Sequence, residues 1–363
     1  MGSGYSFELL VAAYYDCRQN KRNTASALWF ELDLERNLIA LHEELTDGSY
    51  RPGRSICFVI TKPKPREVWA AEFRDRIVHH LLYNQIAERF RRRFIADSCA
   101  CIPGRGTLYA AQRLGAKVRS QTQNWSRGAY HLKADFSNFF VSIDKRIVWP
   151  LLEKHIPDSW WRDLAHLILL HDPRNNFEYH GDPALLERVA PHKRLLNAPA
   201  YHGLPIGNLS SQFFANVLLN ELDQYVKHVI RARHYVRYVD DFVILHESAQ
   251  WLNAALAQIE AFTPALRLKL NPSKTIIQPV DRGVDFSGYV IKPWRMQARR
   301  RTVHAALSAI ETRPNGETLE TINSYLGLLR HCSGHRDRAR IANGARKRGH
   351  CVDTALTKAY RRA

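Results

Sequence analysis

The stretch HYVRYVDDFVIL, residues 234–245, restricts the chain most. It reads as a β-strand everywhere except at its centre, where Asp240 and Asp241 stand side by side. Tyr, Val, Phe and Ile suit a pleated, largely buried surface, whereas strands avoid Asp. Two readings fit. In the first, a two-residue Asp-Asp turn joins YVRYV to FVIL and puts both carboxylates at a tip, where Asp tolerates the backbone angles less well than Asn-Gly or Asp-Gly would. In the second, two carboxylates held on a rigid turn repel each other, and a hard divalent cation relieves that repulsion through the oxygen ligands it prefers. The hairpin alone does not choose between them.

The charge balance points to a class of partner. Against 35 Asp and Glu stand 53 Lys and Arg, a net charge of +18. Such an excess attracts a polyanion by counterion release, so nucleic acid leads and an anionic membrane surface is the alternative. No apolar run of about 18 residues occurs, and no basic segment followed by an apolar one opens the chain, so a soluble cytoplasmic protein with no membrane partner is expected. Cys17, Cys57, Cys99, Cys101, Cys332 and Cys351 form no CxxC pair; reduced thiols follow rather than a disulfide framework or zinc ribbon. HCSGH at 331–335 lacks a matching pair with zinc-finger spacing and reads as packing or RNA contact.

Along the chain, Met1–Gly4 reads as a flexible opening, and Leu10, Val11, Tyr14 and Tyr15 carry helical spacing from Phe7 to about Asn20. Prolines in KPKPRE (62–67) exclude a helix there. RDRIVHHLLYNQIAERFRRRF then places Ile77, Leu81, Ile86, Phe90 and Phe94 on one helical face. PGRGT (103–107) is a turn opening another helix. Residues 171–203, rich in Pro, Asn, Asp and His, read as a long excursion with little regular structure. GLPIGNLSSQ leads into a helix that Ser210 or Ser211 is placed to cap. Another helix begins near Trp251, short strands and turns follow, and from about 292 the chain turns helical and basic. That last segment holds sixteen Lys and Arg against five Asp and Glu, eleven of the eighteen excess positive charges.

Phosphoryl transfer with two metals needs a further carboxylate from another strand to clamp the attacking and leaving oxygens. Asp135, ending the strand-like HLKA, is the obvious supplier, and strand-Asp, loop-helix, Asp-Asp hairpin is the order of a polymerase palm. With these residues in view, the chain resembles a reverse transcriptase of the prokaryotic kind over roughly 50–330. YVDD (238–241) matches the Tyr-x-Asp-Asp hairpin and ADFSNFFVSID the first palm motif. ITKPKPREVWAAEFRDRIVHHLL resembles the fingers motif, GLPIGNLSSQ the loop-helix beside the nascent base pair, and NPSKT with FSGYVIKP the later palm motifs.

The resemblance implies an α+β right-hand architecture: an N-terminal helical extension (1–50), fingers and palm with an antiparallel sheet (51–291), and a basic helical thumb (292–363). It implies two Mg²⁺ ions, with Mn²⁺ as the alternative, held by Asp135, Asp240 and Asp241 together with the Phe136 carbonyl. Lys64 and Arg66, with Lys62 beside them, would meet the triphosphate, or else form a solvated basic loop. Phe140 would be an aromatic gate against the ribose 2′-hydroxyl, or core packing, with Phe139 the better core residue of the two. Lys274 would protonate the leaving pyrophosphate, or be an exposed turn lysine. Arg299, Arg300 and Arg301 would grip the nucleic-acid backbone.

One departure is informative. Most of the family carries Gln at the position of Ile206, beside Gly207, and Pro at that of Gln212; here the motif reads IGNLSSQ. That resembles the enzymes of diversity-generating retroelements, which copy an RNA with errors at adenines and work with an accessory protein. Ile cannot offer the hydrogen bonds of Gln, so one polar check on pairing geometry is missing; alternatively Ile206 is a packing variant in a faithful enzyme. The expected partners are template RNA and its duplex with DNA, deoxynucleoside triphosphates, and a small accessory protein or structured non-coding RNA. A phage-defence enzyme bound to a non-coding RNA is the main rival, and a group II intron-like enzyme lacking an endonuclease is another. A relic that only binds RNA would have no need of all three carboxylates, and a metal nuclease none of a gate or triphosphate site.

Overall fold

The computed structural model describes residues 5–19, 24–62 and 64–361; the Met1–Gly4 opening lies outside them. The chain forms an α+β structure that divides into two compact units. One comprises residues 1–95, 136–225 and 259–270, the other residues 96–135, 226–258 and 271–363.

In the first unit, helices Phe7–Arg18, Ala25–Glu31 and Leu34–Asp47 precede a hairpin of strands Ser55–Ile60 and Arg66–Ala71. Antiparallel pairing runs from Ser55↔Ala71 to Ile60↔Arg66, and strand Phe177–Tyr179 adds in parallel at Ser55. Helix Phe73–Arg91 buries Phe73, Ile77, Leu81, Ile86 and Phe90, as the helical spacing of its apolar residues dictates. Residues 171–203 contain short 3₁₀ turns, the three-residue strand and one turn of helix, Ala184–Glu187. The helix after GLPIGN runs Leu209–Gln224 and begins earlier than a Ser210 or Ser211 cap allows. Asn208 stands at its N-cap position, and both serines are buried in the first turn. Asn208 does not cap the helix either, because its Oδ1 accepts from the Ala71 amide at 3.1 Å.

In the second unit, a four-stranded antiparallel sheet has the order His234–Tyr238, Asp241–His246, Tyr130–Ala134, Ile276–Pro279. Val236, Val243 and Leu245 pack on Ala110, Leu114 and Val118 of helix Thr107–Gln121. A second sheet, Val284–Phe286, Tyr289–Lys292 and Arg295–Ala298, leads to helices Arg300–Thr312, Asn315–Leu329 and His335–Lys347, which share a core of Val303, Ala306, Ile310, Ile322, Leu326 and Ile341. Among the described residues no helix is long and apolar enough to cross a membrane.

Candidate active site

The register of the central hairpin corrects the Asp-Asp turn. Tyr238 pairs with Asp241, so the turn residues are Val239 and Asp240, and Asp241 opens the returning strand. Val239 has φ +55°. A β-branched side chain resists that region, so the turn holds strain of roughly 1–3 kcal/mol that its surroundings must maintain. Arg237 maintains it. Fully buried in mid-strand, it donates from Nη1 to the Val239 carbonyl at 2.9 Å and from Nη2 to Ser98 Oγ at 2.9 Å. Its backbone is pinned on both sides, its amide to the Asp97 carbonyl (3.0 Å) and its carbonyl to the Cys99 amide (2.9 Å). Sequence reasoning missed Arg237, although a charged residue inside an apolar strand was the available signal.

Asp135 directly follows the neighbouring strand, Tyr130–Ala134, and is buried. Its carbonyl accepts from the Asn271 amide at 2.9 Å. Asn271 opens the 3₁₀ turn Pro272–Lys274, with its side chain accepting from the Ser273 amide. NPSK is thereby tethered to Asp135, and the turn delivers Lys274 Nζ onto Asp135 Oδ2. Lys274 is a lysine of an exposed turn, and it ion-pairs with a buried carboxylate from there.

Charge is undercompensated at the hairpin. Burial, then the neighbouring Asp241 and Asp135, push the Asp240 carboxyl up to about 6, with Lys274 opposing. Burial also raises Asp241, against Lys133. Asp135 Oδ1 is buried without a hydrogen-bond partner among the described residues. As placed, no three acidic, His or Cys side chains among them close into a ready ligand cluster. An orphaned hard oxygen beside a repelling pair nevertheless fits a hard divalent cation, provided Lys274 yields Oδ2.

The model of the family described as reverse transcriptase (RNA-dependent DNA polymerase) matches residues 60–291, most of the chain. The chain belongs to the reverse transcriptase family. It is an RNA-directed DNA polymerase, a nucleotidyltransferase whose substrates are a nucleic-acid template and deoxynucleoside triphosphates, and domains of this family use divalent metal ions. It is also similar to protein YkfC of Escherichia coli (strain K12), 23% identical over 330 residues that span 80% of this chain and 78% of the relative.

This reverse transcriptase carries its remaining sequence candidates as follows. In the second unit, Arg300 and Arg301 are exposed, whereas Arg299 turns inward to pair with Asp285. In the first unit, Lys62 and Lys64 lie exposed between the fingers-motif strands, and Arg66, also exposed, opens the second of them. Phe136 and Phe139 are buried with ring centroids 5.8 Å apart, and Phe140 is half-buried with its carbonyl held by the Leu204 amide. Ile206 is fixed through its carbonyl, which accepts from the Trp69 amide at 2.7 Å. Gly207 has φ +131°, and a Cβ there would meet the Trp69 carbonyl oxygen at 2.7 Å, so only glycine fits. Gln212 is exposed on the first turn of helix Leu209–Gln224.

Proposed function

We propose that this chain synthesises cDNA at Asp135, Asp240 and Asp241, and that it is the error-prone polymerase of a diversity-generating retroelement. The observation that carries the catalytic part is the undercompensated charge at the hairpin, with Asp240 raised to about 6 by burial and its acidic neighbours. Bound there, Mg²⁺ or Mn²⁺ would neutralise triphosphate charge and align the primer hydroxyl with the α-phosphate. The protein's own part is positional. Arg237 and the strained Val239 hold Asp240 at the tip, and Lys274 supplies the one ammonium that can leave Asp135 for an incoming phosphate. Lys64 and Arg66 bind the triphosphate, the Phe140 ring excludes a 2′-hydroxyl, and Arg300 and Arg301 contact the template backbone.

The error-prone part is supported by Ile206, in a loop whose backbone is pinned on Trp69, and by Gln212 on the first turn of the helix that follows. With the main chain held, a change at 206 acts through its side chain, and Ile offers no hydrogen bond to the nascent pair. The test is sequencing of cDNA made by the wild type and by Ile206→Gln on one RNA of balanced composition. Wild-type errors should concentrate opposite adenine, and the substitution should lower them by about two- to tenfold, the worth of one net hydrogen bond. Rare errors spread evenly over the four template bases would instead favour a defence enzyme working with a non-coding RNA.

A further inference from the structure

Strands Tyr289–Lys292 and Arg295–Ala298 form a hairpin closed by two residues, Pro293 and Trp294. Trp294 has φ +62° and is 71% exposed. Proline followed by a positive φ is the pattern of a type II turn, whose second position ordinarily takes Gly or Asn. A bulky indole there is strained, and its exposure returns no burial energy to the fold. Beneath the tip, Lys292 and Arg295 lie directly opposite each other in the ladder, a like-charge pairing that costs stability. Both line a cleft of about 450 Å³ with Arg300, His304, Arg340 and a single acid, Asp337. Among the described residues, none of Lys292, Arg295, Arg300 and Arg340 makes an ion pair. A strained, exposed ring at the tip of a hairpin whose flanking residues, Lys292 and Arg295, line a cleft of four unpaired cations is costly by itself and is satisfied by a ligand with a flat face and phosphates.

We infer that this hairpin and cleft bind unpaired RNA, one base stacking on Trp294 while the adjoining phosphates enter the cleft. Bases stack on aromatic rings without sequence preference, and concave cations track the backbone. A blunt duplex offers phosphates but no free base, so the selection is for single strands. The inference extends the reading of Arg300 as a backbone contact. Its test omits metal and nucleotide, so loss of binding here and loss of synthesis are read separately.

The probe is a labelled oligouridine of about ten nucleotides, compared with a blunt RNA duplex, titrated against the full chain. Trp294→Gly removes the ring while suiting the backbone of the turn, so it should melt at or above the wild-type temperature. It should bind the single strand about 5- to 100-fold more weakly and the duplex within about twofold of wild type. Trp294→Phe should retain most of the affinity. Neutralising Arg295 and Arg340 together by Gln should reduce the single-strand salt slope by about 1.4, two phosphate contacts' worth. Unchanged single-strand affinity in Trp294→Gly overturns the inference. So does an equal loss on the duplex, or competition by polyglutamate as effective as that by RNA, which would assign the cleft to an acidic protein.

Discussion

Asp144 and Asp240, one in each unit, stand at opposite ends of charge compensation. Asp144 is fully buried and takes a bidentate pair from Arg146 (2.9 and 2.7 Å), another pair from Arg267, the Arg146 amide, and His202 Nε2 at 3.6 Å. Burial pushes its pKa up, but these partners outweigh burial and hold the carboxyl down at about 2. Asp240, also desolvated, faces two other aspartates and one shared lysine, and rises to about 6. Burial of a carboxylate is therefore no mark of function by itself; under the proposed reading the mark is desolvation without enough positive charge from the chain itself. A surplus of cations makes a brace, and a deficit leaves a place for one that arrives with the substrate.

The contrast breaks most readily at single substitutions. Asp240→Asn should reduce primer extension by at least about 10³-fold while leaving the melting temperature unchanged or raised, because a like-charge repulsion is relieved. Asp144→Asn should do the reverse. It strands the half-exposed Arg146 and Arg267, costs about 1–2 kcal/mol after solvent screening, and keeps turnover per folded molecule within about tenfold. Extension assays paired with thermal denaturation decide the matter. An active Asp240→Asn, or an inactive Asp144→Asn that folds normally, would defeat the distinction.

Acid provides the next largest effect. If Asp240 holds the divalent ion as proposed, a proton competes with that ion, so extension at fixed Mg²⁺ should fall about tenfold per pH unit below about 6, and added Mg²⁺ should restore it. Asp144 titrates elsewhere. Its folded pKa lies below the unfolded value, so its contribution is complete above about pH 4 and is lost only as pH falls towards 2. Between those ranges the fold weakens for a different reason. His79, His131 and His234, desolvated and held near 3, 4 and 4, refuse the protons that the unfolded chain accepts below about 6.5. Mg²⁺ titration at each pH separates the causes, since excess Mg²⁺ rescues Asp240 and not an unfolded chain. Failure of Mg²⁺ to rescue at pH 5.5 would place the acid loss in the histidines.

What was legible in the sequence follows the range of the interactions involved. Helical spacing found Phe73–Arg91, and the apolar run around Asp240 and Asp241 showed a hairpin, because both signals are local. The turn was misplaced by one residue, since Val239 at positive φ contradicts its own propensity and is held by Arg237, itself anchored on Ser98 far away in sequence. Asn208 was passed over for Ser210 and Ser211 because its partner, the Ala71 amide, belongs to a distant strand. The pairing of Lys274 with Asp135 spans a similar gap. Its place at the end of the strand-like HLKA and the motif order put Asp135 among the candidates, whereas nothing local showed that Asp144, nine residues on, would be so fully compensated.

Backbone strain sharpens the contrast at the smallest scale. Val239 beside Asp240 and Arg267 beside Asp144 have nearly the same φ, +55° and +54°. Arg267 closes the 3₁₀ turn Thr263–Leu266, where a left-handed residue is an ordinary ending, and its side chain contributes an ion pair. Val239 is β-branched and has neither excuse. Glycine relieves strain at both sites, less about 0.5–1 kcal/mol of added freedom in the unfolded chain. Val239→Gly should therefore stabilise the protein by about 1 kcal/mol. It should also slow extension severalfold, because the turn no longer holds Asp240 in one orientation. Arg267→Gly should bring no stabilisation, since the strain relieved is offset by the partner taken from Asp144, and its extension rate should stay near wild type. Urea denaturation and single-turnover extension measure the two arms. Equal stability gains would mean that the Arg267 pair contributes nothing, and a Val239→Gly enzyme of undiminished rate would mean that the strain at the hairpin serves no catalytic end.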